Sequence, residues 1–264
     1  MTGANSGMGK AATIALAKMG ATVVMICRNP SKGKAAKSEV KAKSGNESKD
    51  LMFADLSSQE SIRQLVQGFR RKYEQLDVLV NNTGTYFKER KTNADGMGMT
   101  FAVNYLGHFP LTNLLLDVLK ASAPARIVSV AGSSHKKATI DFDDLQGEDK
   151  YSGLRANSQS KLAIVLFTYE LARRLRGTGM TANCLHPGAV ATPLVKNSIP
   201  RALRFMLAFY ETPEEGAETA VYSASSPEVD GVSGKYFVNK KETKSSRLSH
   251  DKTLVDRLWR LSET

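Results

Sequence analysis

The chain has 264 residues, 41% hydrophobic and 24% charged, enough to bury a substantial core. Its 37 Lys and Arg against 26 Asp and Glu give a formal net charge of +11 at pH 7, which favours anionic ligands without pointing to nucleic acid. No apolar run approaches the roughly 18 to 20 residues that cross a bilayer, and no signal-peptide pattern opens the chain, so no spanning segment is expected.

In chain order, the first element is a turn, "MTGANSGMGK" (1–10), running into a helix predicted over 9–19. Glycines there let backbone N–H groups approach a pyrophosphate at the helix N-terminus, with a tight loop as the alternative reading. A strand normally delivers such a turn, and none precedes Thr2. The expectation is a single, N-terminally truncated domain over 1–264. Its six principal strands should leave a gap between "TVVMIC" (22–27) and "LDVLV" (76–80).

After "TVVMIC" comes Arg28, at the position where an acidic residue would take a ribose 2′-hydroxyl. An arginine there suits a 2′-phosphate, with Lys32 and Lys34 adding positive potential, so NADP(H) is expected over NAD(H). The lysine-rich segment 30–49, with a helix over 32–43, lacks stacking aromatics and reads as a solvated face; no nucleic-acid partner is expected.

Further strands are expected at "LMFA" (51–54), "RIVSV" (126–130), "TANCLH" (181–186) and "KYFV" (235–238). Helices are expected over 59–73, 96–119, 157–175, 214–224 and 251–261. This alternation predicts a doubly wound, Rossmann-type α/β fold, its mostly parallel sheet covered on both faces and its first strand missing. Cys27 and Cys184 fall in strands, as buried thiols suited to an intracellular, reducing compartment. His108, His135, His186 and His250 have no metal-ligand spacing, so no metal is expected.

"TGANSGMG" (2–9), "CRN" (27–29), "NNTG" (81–84), "NYLGHF" (104–109), "SKLAIVLFTYELARRL" (160–175), "LHPGAVAT" (185–192) and "SGKYF" (233–237) together resemble the short-chain dehydrogenase/reductase family, in its retinol dehydrogenase-like branch. The resemblance implies that Thr2, Gly3, Asn5, Ser6, Gly7, Met8, Gly9 and Arg28 bind a nicotinamide dinucleotide. It implies that Asp55, beside Leu56, takes the adenine amino group. Asn81 and Gly84 would support the central strand and line the cofactor. Pro187, Gly188 and Thr192 would flank the nicotinamide, and Lys161 would hold its ribose. Asn104 would hold a water that links Lys161 to solvent.

The implied chemistry is hydride transfer to or from a lipophilic, retinal-like carbonyl or alcohol, with the proton supplied by a tyrosine four residues before the lysine. Here Asn157 stands at that position, and an amide is no acid near neutral pH. Gly132 stands where the substrate-orienting serine belongs, with Ser133 adjacent as a substitute. Tyr151, six residues upstream of Asn157, reads as surface packing rather than as a replacement acid. Restoring both residues should restore carbonyl reduction. The alternatives are a non-catalytic dinucleotide-binding protein acting through conformation or partner binding, and a fragment without function.

Segment 193–213 occupies the family's substrate-loop position, and its Arg201, Leu203, Arg204, Phe205, Met206, Leu207 and Phe209 form a basic amphipathic stretch. It reads as a hydrophobic lid, with contact to a membrane surface as the second reading. Membrane association would follow from an upstream anchor, which many relatives carry. The family's habit of pairing helices implies a homo-oligomer.

Overall fold

The computed structural model describes residues 1–192, 195–196, 205, 207 and 209–263. Among these, seven strands form in chain order: β1 Val23–Cys27, β2 Lys49–Phe53, β3 Val78–Asn81, β4 Ala125–Val130, β5 Met180–His186, β6 Tyr236–Val238 and the two-residue β7 Lys241–Glu242. β1 and β2 make one parallel pair. β3-β4-β5-β6 make a second, parallel sheet that β7 extends antiparallel.

Between β1 and β3 lies the gap expected from the sequence. Residues 1–3 bridge it at one end: Ile26 N–H donates to Met1 O at 2.9 Å, Gly3 N–H to Ile26 O at 3.0 Å, and Thr2 N–H to Val80 O at 3.1 Å. The glycine turn is thereby anchored at the carboxyl ends of the strands, where doubly wound sheets bind their ligands.

The helices are α1 Gly7–Lys18, α2 Pro30–Ser44, α3 Gln59–Lys72, α4 His108–Leu114, α5 Leu116–Ala121, α6 Gly153–Arg174, α7 Pro213–Ser225 and α8 Lys252–Glu263. Inward side chains alternate along the buried strands and split the core into two layers. Val80, Val128, Val130, Leu185 and Phe237 pack with the alanines of α1 and α7. Leu79, Ile127, Ala182, Cys184 and Tyr236 pack with α3, α4, α6 and α8. Both cysteines are buried, in β1 and β5, and burial raises Cys27 to about 11 and Cys184 to about 12.

Two helix expectations need correction. The single helix over 96–119 is instead a turn at Met99–Phe101, a π-helical segment Ala102–Leu106, then α4 and α5. Pro110 lies inside α4 and its ring disfavours a regular helical carbonyl at Leu106, where the π segment ends. The helix expected from residue 157 begins at Gly153, where a Cβ would lie 2.3 Å from the Phe87 carbonyl oxygen, so glycine admits the close approach. Asn157 and Lys161 therefore sit in the second and third turns of α6, held on both sides. No helix among the described residues is long and apolar enough to cross a membrane.

Candidate active site

A cleft of about 740 Å³ opens along the carboxyl ends of the strands. At one end α1 presents its first turn: Gly7 takes φ 50, Ser6 gives no side-chain cap, and no acidic residue lies in that turn. Its N–H groups are left for an anion. Glycine is required at Gly9, whose Cβ would lie 2.3 Å from Gly3 O and 2.5 Å from Asn82 Nδ2. This glycine-lined cradle on an uncapped helix end fits the pyrophosphate of a dinucleotide.

Beyond β1, Arg28 and Asp55 line the same cleft with Lys32. Arg28 Nη1 lies 3.8 Å from Asp55 Oδ2, a long pair between exposed groups that leaves the guanidinium available to a phosphate. Asp55 is oriented by Ser57, whose backbone N–H and hydroxyl both donate to Oδ1, at 2.9 and 2.7 Å.

At the other end stand Gly84, Gly132, Ser133, Asn157, Lys161, Pro187, Gly188 and Thr192. Asn157 and Lys161 share one face of α6, as their four-residue spacing requires. Lys161 Nζ donates to Val130 O at 3.1 Å, and burial lowers its pKa to about 8. His186 lines the cleft too, with its pKa lowered by burial and then by the nearby His135, Lys136 and Lys161. Its Nδ1 is buried without a hydrogen-bond partner among the described residues.

Three expected site residues stand one layer behind the wall. The hydroxyl of Thr2 accepts from the backbone N–H groups of Asn82 and Thr83 at 2.8 and 2.9 Å, tying the glycine turn to β3. Asn81 is buried and donates from Nδ2 to Thr112 Oγ1 at 2.8 Å. Asn104, in the π segment, accepts from Thr85 N–H at 2.7 Å and donates to Ser160 Oγ at 3.0 Å; that hydroxyl donates to Asn157 O at 2.7 Å. A Cβ on Gly84 would lie 3.8 Å from both Asn104 Oδ1 and Lys161 Nζ, so Asn104 backs the lysine's pocket.

His108 completes this layer. Its Nδ1 donates to Asn104 O at 3.0 Å and its Nε2 faces the Thr2 hydroxyl at 3.3 Å, an arrangement for the neutral ring. Burial lowers its pKa to about 4.

Tyr151 is committed elsewhere, its hydroxyl donating to Phe87 O at 2.9 Å and meeting Thr100 Oγ1 at 3.2 Å. Gly132 has φ 120 and ψ 165, a region that side chains rarely adopt, and Ser133 is exposed at the cleft edge.

Sequence reasoning missed Asn82, Thr85, Phe87, Met99, Val103 and Val190, all of which line the cleft. The signal for Asn82 and Thr85 was their place just past a predicted strand end. The apolar residues gave none. Most of the lid lies outside the described residues; of its described members, Val195 lines the cleft, and Phe205 and Phe209 are exposed.

The family described as short chain dehydrogenase matches residues 1–202. Human retinol dehydrogenase 14 is 42% identical over 282 residues, covering 100% of this chain and 84% of the relative. Human polyprenol dehydrogenase is 41% identical over 269 residues, covering 98% and 82%. A crystal structure of a single-residue variant of actinorhodin polyketide ketoreductase with NADPH superposes with a TM-score of 0.73 at 26% identity, covering 89% of this chain and 92% of that one.

Proposed function

This chain belongs to the short chain dehydrogenase family, and we propose that it is an NADP(H)-type oxidoreductase scaffold for a lipophilic carbonyl or alcohol, with its proton transfer weakened at Asn157. The observation that carries this reading is the juxtaposition in one cleft of an uncapped helix N-terminus, an exposed Arg28, and Lys161 with an amide one turn before it.

In this reading Gly3, Asn5, Ser6, Gly7, Met8 and Gly9 hold a pyrophosphate through backbone N–H groups. Arg28 and Lys32 pair with a 2′-phosphate, and Asp55 accepts from the adenine amino group. Pro187, Gly188 and Thr192 hold the nicotinamide end, and Lys161 donates to the ribose hydroxyls. A bound nicotinamide would supply or accept the hydride.

The rest of the reaction falls to the protein. Ser133 and the Asn157 amide can donate hydrogen bonds to a substrate oxygen, but neither is an acid near neutral pH, so water must supply the proton. Losing the general acid costs roughly a hundredfold to ten-thousandfold in rate. The two relatives above are named for retinol and polyprenol, both lipophilic alcohols, and the apolar lining from Phe87, Met99, Val103 and Val190 suits that class.

Titration with NADPH and NADH, followed by nucleotide fluorescence, tests the reading. Tight binding that prefers NADPH, with slow turnover of a long-chain aldehyde, supports it. No binding of either nucleotide overturns it. Binding without any turnover favours the second reading that Asn157 motivates, a non-catalytic protein acting through nucleotide occupancy.

A further inference from the structure

We propose that Lys161 is also a nucleophile, its amine capturing a lipophilic aldehyde in the cleft as a Schiff base. This activity goes beyond hydride transfer and needs no nucleotide.

Three features of the site point to it. The first is access, because glycines flank the amine. Lys161 lines the open cleft; a Cβ on Gly84 would make van der Waals contact with Nζ at 3.8 Å and one on Gly132 with Lys161 Cγ at 3.9 Å, so glycine at both positions leaves those contacts unfilled. Where the family places a phenol one turn before the lysine, this chain has the shorter amide of Asn157.

The second is the amine's own state. Among the described residues no carboxylate pairs with Lys161, and its hydrogen bond to Val130 O is the contact that orients it. Burial brings its pKa down to about 8 from the ordinary 10.5, so a substantial neutral fraction exists near neutral pH. A surface lysine has almost none.

The third is selectivity. Phe87, Met99, Val103 and Val190 give the same cleft an apolar lining that concentrates a lipophilic aldehyde over a polar one.

The step balances without a redox partner. The Lys161 nitrogen bonds to the aldehyde carbon, and the carbonyl oxygen takes up a proton as the amine gives one up. The nitrogen then gives up its second proton to the hydroxyl, the carbon–oxygen bond breaks with the oxygen leaving as water, and a carbon–nitrogen double bond remains. Water carries this proton from the nitrogen to the departing hydroxyl.

The test incubates the full chain with decanal and sodium cyanoborohydride, without nucleotide, and maps the adducts by peptide mass spectrometry. Lys161 should carry the decyl group first, faster than any surface lysine by on the order of tenfold. Short polar glycolaldehyde should show no such preference. Lys161→Arg, which keeps the charge without a primary amine, should lose the fast adduct while surface labelling continues. Decyl groups spread over surface lysines with Lys161 no faster than the rest would overturn the proposal, and the wild-type map alone decides this even if the variant fails to fold.

Discussion

A side chain at Gly132 would meet Lys161 at an ordinary distance, its Cβ 3.9 Å from Lys161 Cγ, yet the Gly132 backbone holds φ 120 and ψ 165. Space for the family's serine exists, but the conformation does not. Gly132→Ser is therefore expected to destabilise the fold by about 1–3 kcal/mol, measurable by urea unfolding.

The tyrosine position carries no such obstacle, because Asn157 is in regular helix on the cleft wall. Asn157→Tyr alone should raise NADPH-dependent reduction of a lipophilic aldehyde by roughly a hundredfold or more, and adding Gly132→Ser should not improve on it. Steady-state rates of the single and double variants decide; a single variant that binds NADPH yet gains nothing would refute the assignment of Asn157.

Gly9→Ala would press a methyl group 2.3 Å from Gly3 O and 2.5 Å from Asn82 Nδ2. Since Asn82 Nδ2 donates to Thr2 O at 2.9 Å, the added carbon would push the turn off β3. The expected result is loss of nucleotide binding by about tenfold or more. Fluorescence titration reads it, and an unchanged dissociation constant would show that the cradle is not the phosphate site.

Arg28→Ala should weaken NADPH while leaving NADH nearly unchanged, because only the former offers a 2′-phosphate. A charged hydrogen bond is worth about 1.5–3 kcal/mol, so the preference should fall by roughly tenfold to a hundredfold. Equal losses for both nucleotides would assign Arg28 a general electrostatic role instead.

Acid should destabilise the protein through its buried histidines. The His108 pKa lies near 4 in the folded chain against 6.5 as the ordinary value, and His135 and His186 are shifted the same way by burial. The unfolded chain therefore binds protons first as pH falls below about 6.5. Stability contributed by the neutral rings is complete above that value and is lost progressively towards pH 4. Urea midpoints between pH 7 and about 4.5 should fall for the wild type, and fall less steeply for His108→Gln.

The alternation of strands with helices, the glycine turn, Arg28 past the first strand and the four-residue spacing of Asn157 and Lys161 were all legible in the sequence, because each is a local pattern with a fixed geometric meaning. Even the gap between β1 and β3 was expected, from a glycine turn with no strand before it in the sequence. The break at the π segment was missed because a helix-period pattern does not report how Pro110 redirects the turn before it.

The division of labour around the cleft depended on contacts across the chain. Thr2 reaches Asn82 and Thr83, some 80 residues on, and is thereby turned away from the cleft it was expected to line. Asn104 spends its amide on Thr85 and Ser160, and Gly132 combines its positive φ with an N–H that donates to Leu185 O on the adjacent strand. The sequence by itself determined which chemical groups meet at the strand ends; the packing of distant segments decided which of them face the cleft, how dry Lys161 is, and whether a side chain could stand at residue 132.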